Sequence, residues 1–257
     1  MATEREPLPD VVGWEALLLQ MIAFPAQSLP PDFASAWTEF TGEEPESTIR
    51  KKGVQLEEKG VYHDAMLTIT TDLLRTACAA SPRVDFQEVP SQLPTLGEFA
   101  DANGWFGDLI TQWLDRRRPS IKRLAFNATL VRYTDNRDAV YHLLGRYLHA
   151  VKVTPASSDL LYRINRRRPG EVVPGGLWIN RLSTWSSVKF TIQAQGVTQS
   201  GEPIPAFTTS EQNACRLELD INTDQDYSQT LAPDHLPQLF RELVSLGTEI
   251  AERGDVE

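Results

Sequence analysis

The chain has 257 residues, 41% hydrophobic and 23% charged, with a formal net charge of −10; this balance excludes a disordered, fibrous or collagen-like protein. At this length either one large domain or two small ones can bury an ample core. Two isolated cysteines, Cys78 and Cys215, exclude a disulfide framework and a thiolate zinc site, while the acidic opening "MATEREPLPD" and the short apolar stretch 16–24 argue against a secretory leader or a membrane span. The expectation is a cytoplasmic protein with no membrane partner, in which the sequon Asn127-Ala128-Thr129 carries no glycan.

Taken in chain order, "WEALLLQMIAFP" reads as a strand, being short and closed by Phe24-Pro25. "LPPDFASAWTEF" predicts a helix with Asp32 as N-cap, Phe33, Trp37 and Phe40 at helical spacing and Gly42 as its stop. "STIRKKGVQLEE", "YHDAMLTITTDLLRTACAA" and "RVDFQEV" alternate with a period of two and read as three strands. "LPTLGEFADANGWFGDLITQWLDRRR" predicts a long helix capped by Thr95 and ended by Pro119.

The second half begins with the alternating strand "IKRLAFNATLVRY" and the helix "NRDAVYHLLGRYLHAV", whose apolar row is Val140, Leu143, Leu144, Tyr147 and Leu148. "DLLYRIN", "LWINRLSTWSSVKFTIQAQ" and "NACRLELDI" follow as strands, with "GVTQSGEPIP" as a turn-rich connection. A last helix, introduced by Asp234, carries Leu236, Leu239, Leu243, Leu246 and Ile250 and stops at Gly254. The order β-α-β-β-β-α thus occurs twice, predicting an α+β fold of two tandem halves, 1–119 and 120–257, joined in one domain or standing as two. Its strands form a curved antiparallel sheet with the long helices on one face, leaving the other free to bind.

"FNATLVRYTDN", "LYRINRRRP" and "CRLELDINTD" followed by "LPQLFRELVSLGTEIAERGD" resemble a sporadically distributed family of uncharacterised prokaryotic proteins of about this length, mainly over residues 121–257. The resemblance implies a bacterial or archaeal source. It transfers no reaction and no catalytic residue.

Motifs for chemistry fail on their own geometry. "DINTDQD" places Asp220, Asn222 and Asp224 as a calcium loop would, but Gln225 stands where glycine makes the turn and Leu231 where a bidentate glutamate is required. His142 and His149 lie seven apart on one helix, too far for zinc pairing, and His63 and His235 have no spacing partner. Ser186 to Lys189 matches SxxK within a strand, without companion motifs. No catalytic, cofactor or metal residue is assigned, although a spatially assembled carboxylate pair leaves no spacing signal. Trp178 and Trp185, seven apart in one strand, point to opposite faces.

Charge is unevenly divided. Between Gln112 and Arg181 lie fourteen of the chain's 25 basic residues and five of its 35 acidic ones, a balance of +9 that leaves −19 elsewhere. Two arginine triplets stand in this segment, Arg116, Arg117 and Arg118 before Pro119, and Arg166, Arg167 and Arg168 before Pro169. The first ends a helix, where cations complement the dipole; the second enters a turn with no helix of its own to explain it. Guanidinium forks suit carboxylates and phosphates, so Arg163, Arg166, Arg167, Arg168 and Arg181, with Arg116, Arg117 and Arg118, are the candidate partner-binding residues. The expected function is a non-enzymatic adaptor or accessory subunit that binds a protein partner through this segment. The alternatives are nucleic-acid binding by the same arginines and the sheet face, and pairing of the arginines with the protein's own acids.

Overall fold

Alternate burial runs along each long strand. In β1 (Glu15–Pro25) Ala16, Leu19, Met21 and Ala23 are buried while Gln20 and Ile22 are half-buried, the pattern of a strand with one face packed. In the computed structural model, which describes residues 13–28, 34–84, 92–173, 175–194 and 207–256, β1 is followed by α1 (Trp37–Thr41), β2 (Ser47–Lys51), β3 (Gln55–Tyr62), β4 (Ala65–Asp72), β5 (Thr76–Pro82) and α2 (Phe99–Arg117). Then come β6 (Ile121–Thr134), α3 (Arg137–Tyr147), β7 (Leu161–Asn165), the two-residue β8 (Arg168–Pro169), β9 (Trp178–Ala194), β10 (Phe207–Thr223) and α4 (Leu236–Arg253).

The ten strands make one antiparallel sheet in the order β2-β3-β4-β5-β1-β6-β10-β9-β7, with β8 also on β9. β1 and β6 are neighbours at its centre, paired for instance through Met21 and Phe126. Strands from both sides of residue 119 therefore share one hydrogen-bonded sheet.

Several expected elements are divided or moved. The run 47–58 is a hairpin broken at Lys52 and Gly53, and the run 62–80 turns back at residues 73–75. At the second turn Asp72 Oδ1 accepts from the amides of Leu74 (2.8 Å) and Arg75 (3.0 Å), an Asx turn that ends β4. Between β3 and β4, His63 and Asp64 both adopt positive φ, the twist a two-residue hairpin requires. The expected strand "RVDFQEV" and the connection "GVTQSGEPIP" lie mostly outside the described residues, as does Asp32.

Helix starts also differ from expectation. The amides of Ala36 and Trp37, at the beginning of α1, donate to Glu58 Oε2 at 2.9 and 3.1 Å, so a buried carboxylate from β3 neutralises that end. Thr95 does not cap α2; its hydroxyl donates to Glu15 Oε2 at 2.7 Å, and the helix begins after Glu98. Asn136 does cap α3, accepting from the Ala139 amide at 3.0 Å.

The core forms where helices meet the alternate residues of the central strands. Phe240 of α4 meets Phe126 of β6 edge to face, centroids 6.0 Å apart, and Tyr147 of α3 stacks on Trp185 of β9 at 5.1 Å. Trp14 Nε1 donates to Tyr147 Oη (3.2 Å) and to the Ala251 carbonyl (3.0 Å), tying the start of β1 to α3 and α4. α1 approaches β3 closely enough that a Cβ on Gly60 would lie 2.8 Å from the Trp37 ring. Gly60→Ala is therefore expected to lower stability by about 1–3 kcal/mol in chemical denaturation, by displacing Trp37.

Candidate functional site

The second arginine triplet is part of the sheet's edge. β7 and β8 both pair with β9, and between them the Arg166 amide donates to the Arg181 carbonyl at 3.2 Å, so the edge runs from Leu161 to Pro169 with an interruption at Arg166 and Arg167. The alternation of a strand then sends neighbouring guanidiniums to opposite sides. Arg166 and Arg168 turn towards α4, and Arg167 turns away.

On the α4 side the cations meet two carboxylates. Arg166 grips Asp255 with Nε on Oδ1 (2.8 Å) and Nη2 on Oδ2 (3.0 Å), and Tyr162 Oη donates to the same Oδ2 at 2.6 Å. Arg168 holds Glu249 through Nη1 (2.8 Å) and Nη2 (3.3 Å), while Arg181, wholly buried, donates from Nη2 to Glu249 Oε2 at 2.9 Å. About two helical turns earlier on the same face, Glu242 accepts from the amides of Glu171 (2.7 Å) and Val172 (3.4 Å), just after the triplet's turn. The last turns of α4 thus lie against this edge. This corrects the expectation that no helix end explains positive charge there: the helix comes from eighty residues along the chain. Gly254 closes it with positive φ, so near the Tyr147 carbonyl that a Cβ would come within 2.2 Å.

Titration follows from these contacts. Hydrogen bonds from Arg166 hold the Asp255 carboxyl below its ordinary range against the opposing effect of burial, and the Tyr162 bond helps. Burial, then the bond to Asp255, raises the Tyr162 phenol. Burial and the nearby Arg168 lower the pKa of Arg181, opposed by Glu249 and Asp255.

On the far side of the edge the environment is open. Arg167 pairs with Asp224 and lies over the ring of Trp178 at 5.5 Å, and Trp178 is 44% exposed although Trp185, on the opposite face, is fully buried. Arg163 is exposed and makes no ion pair among the described residues. Asn165, Asn180 and Asn222 form a cross-strand chain of amide hydrogen bonds at 3.0 and 3.1 Å, and Asn222 also bonds Asp220 and Arg123.

The first triplet is placed elsewhere, beside α1. Arg116 Nη2 donates to the carbonyls of Glu39 (3.0 Å) and Phe40 (3.3 Å), satisfying the end of the short α1; Arg117 pairs with Glu39 at 3.2 Å, and Arg118 with Asp234 ahead of α4. Arg118 itself is the left-handed cap of α2. Arg117 and Arg118 border a cleft of about 550 Å³ between the ends of β1, β4 and β5 and the helices α1 and α2. The two triplets are not brought into one patch; each fastens different elements.

The partners of the arginines escaped sequence reasoning. Glu242 and Glu249, seven apart on one helix, and Asp255 just beyond the stop glycine offered a spacing signal, but only the sheet order brings them to the second triplet and the turn after it. Of the rejected motifs, Asp224 is the partner of Arg167, and no group of three or more metal-ligating residues occurs among the described residues. Both cysteines are buried and unpaired, and burial pushes their thiols up, away from thiolate chemistry. No described helix is long and apolar enough to cross a membrane. No protein-family model matches the chain, and no curated protein matches it in sequence.

Removing Glu249 leaves the buried Arg181 without its carboxylate. Glu249→Gln is expected to cost about 3 kcal/mol in equilibrium unfolding, and Arg181→Met added to it should recover most of that loss, because the uncompensated charge is gone. For Asp255, the lowered folded pKa means its contribution is complete above the ordinary value of 3.8 and is lost as pH falls below it. Asp255→Asn should accordingly be less stable than the parent at neutral pH, with the two melting curves converging in strong acid.

Proposed function

We propose that the chain is a cytoplasmic protein-binding module, an adaptor or accessory subunit, that accepts an acidic extended segment of a partner along the outer edge of β7. The observation that carries this reading is the open side of that strand: among the described strands β7 has β9 on one flank only, and Leu161 at its start is 71% exposed. Such an edge offers backbone groups to an added strand. Arg163 and Arg167 flank it on the side away from α4, next to the exposed Trp178, and a segment rich in Asp or Glu complements them. Arg166, Arg168 and Arg181 then act indirectly, by fixing the edge to α4.

The order strand, helix, strands, helix in β1 to α2 and again in β6 to α4, with β1 beside β6, supports reading the fold as two equivalent halves whose long helices share one face of a curved sheet. Under that reading the Arg163 and Arg167 side belongs to the face left for binding. A nucleic-acid partner is disfavoured because Glu218 and Asp220 occupy β10 across β9 from Arg163, and a polyanion would meet them together with the arginines.

The probe is a labelled peptide of about eight residues alternating Glu and Val, titrated beside its Lys–Val counterpart and a single-stranded oligonucleotide at low salt. Only the acidic peptide should bind. Arg163→Glu with Arg167→Glu should weaken it at least about tenfold, while stability changes by no more than about 1 kcal/mol because both arginines are exposed. Failure of the acidic peptide to bind, or preferential binding of the oligonucleotide, overturns the proposal.

A further inference from the structure

The cleft beside the first triplet is independent of the β7 edge, and its chemistry is mixed. Trp113, stacked against Phe40 with centroids 4.4 Å apart, and Ile121 contribute apolar wall; Thr76 contributes a hydroxyl; Arg117, Arg118 and Glu39 bring charge. Its volume of about 550 Å³ falls within the range of small-molecule sites.

The arginines are held but not used up. Arg117 meets Glu39 through Nε, and Arg118 meets Asp234 through Nη2. Among the described residues no partner engages the two terminal nitrogens of Arg117, or Nε and Nη1 of Arg118. A guanidinium presents two forks, Nε with Nη2 and Nη1 with Nη2, so Arg117 retains its end-on fork for two parallel bonds to an oxyanion, while Arg118, held at Nη2, retains single donors. Each is anchored at one point: Arg117 ends α2 and meets Glu39 of α1, and Arg118 closes the helix and meets Asp234. Two guanidiniums and one carboxylate stand in the lining, and the Asp234 carboxylate meets Arg118 beside it.

We infer that this cleft binds a small organic anion, a carboxylate or phosphate monoester whose apolar portion lies against Trp113 and Ile121 and whose oxyanion is shared by Arg117 and Arg118. Glu39 sets the selectivity: it already occupies one nitrogen of Arg117, so a ligand must bring both an anion and an apolar group. A free inorganic anion lacks the second, and a neutral aromatic lacks the first.

Isothermal titration of the full chain with phenyl phosphate, phenylpropionate, inorganic phosphate and phenylpropanol tests this. Saturable one-to-one binding of phenyl phosphate or phenylpropionate is expected, the stronger of the two identifying the oxyanion. Inorganic phosphate and phenylpropanol should each bind at least about tenfold more weakly, the effect of losing one charged hydrogen bond or the apolar contact. Arg117→Gln with Arg118→Gln should abolish the preference for anions. Because Arg118 also holds Asp234, a second variant, Ser120→Trp, blocks the cleft from an exposed position and leaves both arginines in place; it should abolish binding without lowering the melting temperature. No saturable binding of either organic anion, binding unaffected by Ser120→Trp, or equal binding of phenylpropanol overturns the assignment.

Discussion

A guanidinium shut away from water stays charged and is tolerated only if a carboxylate comes to it, and in this protein Arg181 takes Glu249. That demand places the last turns of α4 on the β9 end of the sheet. Once α4 is there, Glu249 also receives Arg168, Asp255 receives Arg166 and Tyr162, and the edge formed by β7 and β8 is clasped from one side. Trp14, bonded to both Tyr147 and Ala251, carries the same fastening back to the central strands.

The division of charge along the chain acquires a physical meaning from these contacts. Glu39, Asp224, Asp234, Glu249 and Asp255 all lie outside the basic segment, and each holds an arginine of one of its two triplets. A basic middle and acidic flanks therefore favour contacts between parts of the chain that are distant in sequence, while like charges within each part disfavour local pairing. Position in a strand divides the labour further. Arg166 and Arg168 serve the fold because alternation turns them to α4, whereas Arg167, one residue away, reaches the open side; the same geometry puts Arg163 on that side too.

How far the sequence could be read depended on whether the deciding contact was local. β1, β6, α3 and α4 were legible because their periodicity is unbroken and, for α3, the cap is the adjacent Asn136. The hairpins at Gly53 and Asp72 were hidden because alternation continues on both sides of each turn, so a two-strand run resembles one long strand. The start of α1 is neutralised by Glu58, over twenty residues away, and no local signal announces that. Likewise the triplets were conspicuous in the sequence, but the carboxylates that receive them are assembled by sheet order alone. Arg163 and Arg167 could be named as candidates, yet nothing in "LYRINRRRP" distinguishes them from Arg166 and Arg168 until the pairing with β9 assigns each a side. The cleft beside Arg117 and Arg118 left no motif, since its walls come from both ends of the first half of the chain.

The central claim is that alternate members of one arginine triplet have separate duties, fastening α4 or facing outward. Amide hydrogen exchange over Glu249 to Arg253 measures this directly, comparing the parent chain with Arg166→Gln/Arg168→Gln and with Arg167→Gln. The account predicts faster exchange across those amides in the double variant and parental protection in Arg167→Gln. Equal protection in all three proteins, or loss of protection on changing Arg167 alone, would contradict it.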